Sequence, residues 1–224
     1  MNSNMSAPFA LPLFPLRTVL FPGMPLVLHI FEERYLQMIQ DCLEEQRPFG
    51  VVLIKRGDEA LGPAAEPHLV GCTAQIAQIE PLNQGRLNIL AVGQDRFRIR
   101  ALRGERPYLV GLVELYPFAP EKPAILAGAA GQLRPFVERY VTVLAEAGEM
   151  KLDRDKFPSD PLELAYLAAH LLYVPPLDKQ NLLAMEGASD FLRSLRWLYR
   201  RELPFLRQML DPPTADAEGP FSLN

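Results

Sequence analysis

Apolar positions up to residue 116 recur mostly with the spacing of strands, and those after residue 123 with the spacing of helices. Leu11-Pro-Leu-Phe-Pro-Leu16 is extended, because each proline fixes its own φ and pushes its predecessor out of the helical region. Val19 to Phe21 and Leu26 to Ile30 read as short strands separated by a Pro22-Gly23 turn. A helix is expected over about 32–46, with Tyr35, Ile39, Cys42, Leu36 and Leu43 on one stripe and Glu32 and Glu33 at its positive end. Phe49 to Ile54 is a continuous apolar run, the pattern of a fully buried strand. Residues 56–68, rich in Gly, Pro and charge, read as a mobile loop. Further strands are expected at 70–80, 86–92, 95–102 and 108–116, with turns at Asn83-Gln-Gly85, Gly93-Gln-Asp95 and Arg103-Gly-Glu-Arg-Pro107. The cleanest alternation runs from Arg96 to Leu102: it points Phe97, Ile99 and Ala101 at a core and Arg96, Arg98 and Arg100 at solvent.

The second half predicts a helix over about 123–147 and a charged loop at 148–158. Asp160-Pro-Leu-Glu163 opens the next helix, with Asp as N-cap, Pro at the first helical position and Glu at the third. That helix ends by Val174, ahead of Pro175-Pro176. A short helix over 177–185 follows, Gly187 breaks it, and Ser189 caps a final helix to about Leu210 with a kink or restart at Pro204. The tail, 211–224, is expected to be disordered. The chain therefore reads as α+β: a β-rich region at 9–117 with one interrupting helix, then a helical bundle at 121–210. Closely spaced strands with short turns suggest a small, strongly curved sheet or barrel.

Composition changes little in this picture. Apolar residues make up 49% of the 224 and charged residues 22%, enough to bury a core without staples. The 22 prolines are scattered between apolar runs and act as punctuation rather than forming a disordered tract. A net charge of −4, with both halves acidic when the chain is divided at Pro120, argues against nucleic-acid binding by phosphate neutralisation. Cys42 and Cys72 are too few for a disulfide framework or a zinc site; buried reduced thiols are the simpler reading, with a single bridge left open. No Lys or Arg precedes Arg17, and Pro8, Pro12 and Pro15 interrupt the first apolar stretch, which is unlike an export signal. Val19 to Ile30, broken by Pro22 and Pro25, is too short to span a bilayer. A cytoplasmic protein without a membrane segment is expected.

The search for chemistry returns little. His29, His68 and His170 are far apart and form no ligand-spaced pair, so neither metal nor cofactor is expected. No G-x-S-x-G elbow or phosphate-binding G-x-x-x-x-G-K-[ST] loop occurs, and no Gly is followed by Lys. Glu32-Glu33 and Glu44-Glu45 are most simply solvated helix ends. Two surfaces remain as candidates. Phe14, Pro15, Phe21, Pro22 and Met24 either line the core or leave an apolar groove for extended peptide. On the last helix Arg193, Arg196, Arg200 and Arg207 share a face with Trp197, opposite the leucines; this is either a solvated basic face or a partner surface.

Leu11-Pro-Leu-Phe-Pro-Leu-Arg-Thr-Val-Leu-Phe-Pro-Gly-Met-Pro-Leu26 resembles the opening signature of the Lon protease N-terminal domain. Phe31-Glu-Glu-Arg-Tyr35, Phe49-Gly-Val-Val-Leu-Ile54, Val70-Gly71 and Gly93-Gln-Asp-Arg-Phe97 follow in that family's order and spacing. The resemblance is specific over about 9–117 and looser to about 210. It implies a PUA-like pseudo-barrel followed by a helical bundle, and a non-catalytic role in recognising unfolded or extended protein segments. The chain carries no ATPase or peptidase motif, so the resemblance implies a stand-alone recognition module, an adaptor for a protease or chaperone. Because PUA-like barrels also occur in RNA-binding proteins, RNA binding through Arg96, Arg98 and Arg100 and the final helix is an alternative. A small enzyme or ligand sensor with a pocket between the two regions is another.

Overall fold

The computed structural model describes residues 7–57, 65–148 and 157–210. The expected tail at 211–224, and most of the expected loops at 56–68 and 148–158, lie outside the described residues. Strands β1 (Phe9–Leu16), β2 (Pro25–Ile30), β3 (Phe49–Arg56), β4 (Glu66–Pro67), β5 (Val70–Pro81), β6 (Leu87–Arg103) and β7 (Leu109–Leu115) form one sheet. Helix α1 (Glu33–Glu44) interrupts them, and α2 (Pro123–Glu146), α3 (Pro161–Leu171), α4 (Pro176–Leu183) and α5 (Ala188–Leu210) follow.

The sheet closes on itself. Its order is β1-β7-β6-β5-β3-β4, and β1 also pairs in parallel with β3, completing the ring of a small barrel. Strand β1 changes neighbour along its length: Phe9 to Leu13 pair with β7, and Leu13 to Leu16 pair with β3. Most of its residues therefore use one edge only, which is how the strand accommodates Pro12 and Pro15 without an N–H to donate.

Phe97 fills the middle of the barrel, fully buried among Leu11, Leu13, Val52, Ile99 and Val113. Its ring needs missing side chains opposite. A Cβ on Gly50 would stand 2.7 Å from the Phe97 ring, and one on Gly71 would stand 2.6 Å from that ring and 2.5 Å from the Val51 carbonyl. Helix α1 closes one end, with Met38, Ile39 and Cys42 buried and Tyr35 stacked on Phe14 at 4.1 Å.

Several expectations are corrected here. Val19 to Phe21 is not a strand: its side chains enter the core, and its chain turns through Pro22-Gly23, where Gly23 has φ 75° and the Met24 N–H reaches the Phe21 carbonyl. The Gly93-Gln-Asp95 turn is absent as well. Gly93 donates to the Met24 carbonyl and accepts from the Gly23 N–H, so its backbone stays in the ladder and β6 runs unbroken for 17 residues. The alternation along 96–102 fails at both ends. Arg96 is buried, and a register shift between Ile99 and Ala101 turns Ala101 outward.

The helices form a second core that is not separate from the sheet. Leu133, Val137, Leu164, Ala168, Phe191, Leu195 and Tyr199 are buried together with Phe21, Leu53 and Val70 of the β-rich region. Asp160 caps α3 as expected, its Oδ1 accepting from the N–H groups of Leu162 (2.8 Å) and Glu163 (3.0 Å). Ser189 does not cap α5. It lies buried within the first turn, and its N–H donates to Glu121 Oε1 at 3.0 Å, so a carboxylate from the connector satisfies that helix end. Helix α5 continues through Pro204 to Leu210.

Candidate functional site

The junction between sheet and helices is concave. One hollow of about 490 Å³ is bounded by Pro22, Asp95 and Arg96, by the connector from Leu115 to Glu121, and by Leu126, Leu162 and Tyr166. A second, of about 510 Å³, is bounded by Pro22, Gly23, Met24, Pro158, Leu162, Glu163, Tyr166 and Leu167. Pro22, Leu162 and Tyr166 belong to both, so they form a shared wall between two parts of one groove. The groove is set by sequence-local events on each side: the Pro22-Gly23 turn holds one lip, and the capped start of α3 holds the other.

Arg96 stands in the wall at the point where the two regions join. Its Nη1 donates to the carbonyls of Leu183 (2.8 Å) and Met185 (2.7 Å), at the C-terminus of α4, where helix carbonyls lack intrahelical partners. Its guanidinium lies 3.5 Å from the centroid of the Phe118 ring and 5.0 Å from that of Tyr116. Burial lowers its pKa from the usual arginine value. Gln180 Nε2 donates to the Val70 carbonyl, and the Ala119 N–H donates to that of Glu186, tying the same junction. Tyr166 titrates at about 12 because it is desolvated, so its phenol is protonated in the groove at neutral pH.

Of the expected groove residues, Phe14, Pro15 and Phe21 are buried; Phe14 packs on Tyr35, and Phe21 on Phe191. Pro22 and Met24 are half-buried and line the groove. The aromatic and aliphatic residues from α3 and the connector were missed. Tyr116, Phe118, Leu162 and Tyr166 are half-buried along the groove, and no local pattern in the sequence marked them.

The final helix presents the other candidate surface. Trp197 is 60% exposed. It stacks with Arg201, whose guanidinium is 5.0 Å from its ring. Arg193 pairs with Asp190, Arg196 bonds Gln132, and Arg200 is exposed. Trp197 and Arg201 border a hollow of about 240 Å³ with Asp178, Asn181 and Met185. Further along the same helix, Phe205 and Met209 are also exposed.

The proposed arginine row is broken up. Arg96 is buried, Arg98 meets Glu186 at 3.5 Å, and Arg100 pairs with Glu114. Cys42 and Cys72 are free and buried, with burial pushing their thiols up to about 11 and about 12, which leaves them protonated. Among the described residues no group of three His, Cys, Asp or Glu side chains is placed to hold a metal. No helix among them is long and apolar enough to cross a membrane.

Residues 10–195 match the family model of the ATP-dependent protease La (LON) substrate-binding domain. Lon protease 2 of Myxococcus xanthus is 27% identical over 202 residues, covering 89% of this chain and 24% of its own length. Lon protease of Escherichia coli K12 is 24% identical over 213 residues, covering 92% of this chain and 26% of its own. The chain thus spans about a quarter of the length of these relatives. A solved Lon N-terminal domain protein from Xanthomonas campestris superposes with a TM-score of 0.58 at 27% identity, covering 84% of this chain and 96% of that one. The N-terminal domain of the Mycobacterium avium complex Lon protease gives 0.65 at 20% identity, covering 86% and 98%, and shares the fold. The matched segment takes in β1 and the barrel, both walls of the groove, and the first turns of α5, and it makes this chain a member of the Lon substrate-binding domain family.

Proposed function

We propose that the chain recognises extended or unfolded protein segments without performing chemistry on them, and that the groove between barrel and helices is where they bind. The observation that carries this reading is the apolar and aromatic wall shared by the two hollows, Pro22, Leu162 and Tyr166, together with half-buried Met24 beside it. Concave, mostly apolar surfaces with a few convergent polar groups are the usual form of a binding site. Family membership supports a substrate-recognition role. Exposed Trp197, with Arg193, Arg196 and Arg200 around it, is the surface we assign to a dedicated partner, a protease or chaperone for which the chain acts as adaptor in protein quality control. A cytoplasmic location fits that role. RNA binding is the weaker reading, because the arginine row it needs has one member buried and two paired with glutamates.

The test is fluorescence anisotropy of a labelled, reduced and alkylated protein that cannot refold. Binding at micromolar concentration is expected, and Leu162→Arg, which places a charge in the groove wall, weakens it at least ~10-fold, about 1.4 kcal/mol. Absence of binding by the unsubstituted chain rules the reading out, and unchanged affinity in the variant removes the groove from it.

A further inference from the structure

Arg96 is 3% exposed, yet only one of its three nitrogens has a partner among the described residues. Nη1 is held by two α4 carbonyls, whereas Nε and Nη2 are buried and make no hydrogen bond. None of these bonds is to a carboxylate, so the guanidinium charge is buried without a counter-charge bonded to it. Such a charge is costly unless something pairs with it, and arginine does not escape the cost by losing its proton. The unbonded pair has a defined geometry. Nε and Nη2 share one edge of the planar guanidinium and donate in parallel, the fork that receives both oxygens of a single carboxylate.

The surroundings fit that ligand. Arg96 is among the residues that bound the 490 Å³ hollow, and its Nε and Nη2 are themselves covered from solvent, so a ligand reaches them by displacing part of that wall. One face of the guanidinium is covered by Phe118, and Tyr116 and Tyr166 stand nearby, giving apolar walls to whatever carries the carboxylate. Two acidic residues also line the hollow. Glu121 is already engaged by the Ser189 N–H at the start of α5, and Asp95 is exposed.

We infer that the groove is a carboxylate-binding site in which the Nε/Nη2 edge of Arg96 grips a carboxylate attached to an apolar or aromatic group. On the peptide-recognition reading, on which the biological source of the ligand rests, that carboxylate is either the C-terminus of a protein segment or an Asp or Glu side chain beside an apolar residue. The guanidinium is thereby a polar anchor at the junction of barrel and bundle, and the apolar walls select what flanks the anion.

The experiment uses the full-length chain labelled with ¹⁵N and follows the Arg96 Nε–Hε resonance. Arg96→Lys identifies that resonance by its loss; if the variant does not fold, connectivity to the backbone of Asp95 and Phe97 identifies it instead. N-acetylphenylalanine is expected to shift it saturably, and N-acetylphenylalanine amide to need at least ~10-fold higher concentration, as fits a hydrogen bond to a charged group. Equal effects of acid and amide, or no movement with either, overturn the inference. Two peptide comparisons then separate the sources: a free against an amidated C-terminus, and an internal Glu against Gln. If N-acetylphenylalanine moves Arg96 while no peptide binds, the carboxylate site stands and the peptide reading fails. If peptides bind with no preference for a carboxylate in either comparison and the small acid is silent, the reverse holds.

Discussion

Phe97 and Arg96 are neighbours on β6, and they face two environments with opposite rules. Phe97 fills the barrel, fully buried among aliphatic side chains, with glycines at 50 and 71 making room for its ring. Arg96 points to the other surface of the same strand, where the helices dock and leave a groove. Around Phe97 the barrel interior is made of strand residues alone, and they surround its ring closely. The junction is completed by two regions that meet along a line, so some surface stays open and some donors stay unbonded. Close packing belongs to the first, and the recognition we propose belongs to the second.

This contrast is open to breakage by substitution. Phe97→Ala is expected to have the largest effect, a loss of about 3–5 kcal/mol in denaturant unfolding, because the closed ring cannot collapse into the space. A loss below 1 kcal/mol would mean that the barrel is not tightly packed. Gly71→Ala comes next, at about 1–3 kcal/mol from overpacking against Val51 and Phe97. A neutral result would show that the ring has room to move. In the groove, Leu162→Arg should alter stability by only about 0.5 kcal/mol while weakening segment binding, since its side chain is partly solvated. A loss as large as that at Phe97 would make the groove wall part of the core.

The smallest effect concerns Glu121. Hydrogen bonds to Ser189, first to its side chain and then to its backbone N–H, hold the Glu121 carboxyl below its ordinary value. Because the folded-state pKa is the lower one, its stabilisation is fully present above the unfolded pKa and is lost as pH falls through the folded value. Glu121→Gln should therefore reduce the fall in stability with acidification below pH 4.5 and leave the slope above it unchanged. Comparison of thermal midpoints of the two proteins across that range checks it; identical profiles would show that the bond is absent in solution.

Most elements were legible because their signals are local. Asp160-Pro-Leu-Glu163 contains its own cap and helix start, and the chain folds there as the pattern predicts. Pro22-Gly23 marks a turn because only Gly adopts its φ without strain. The strand pattern failed where pairing at long range took over. Gly93 looks like a turn residue until Met24 and Gly23 bond its backbone into the ladder. Arg96 has the outward phase of an alternating strand, but outward there means toward the end of α4, 87 residues further along the chain. No local pattern carries that information, and the groove residues Phe118, Leu162 and Tyr166 were hidden for the same reason.

The sequence by itself determined a strand-rich first region, a helical second one and the signature of the Lon substrate-binding family, because periodicity, turn chemistry and capping act over a few residues. The tertiary structure alone decided which apolar residues are core and which are groove wall. Phe14, Pro15 and Phe21 went inside, whereas Pro22 and Met24 stayed at the lip. It alone placed between barrel and bundle a buried arginine whose Nε and Nη2 have no hydrogen-bond partner among the described residues. Burial at such a junction depends on how two surfaces meet, a property of the assembled shape rather than of any segment within it.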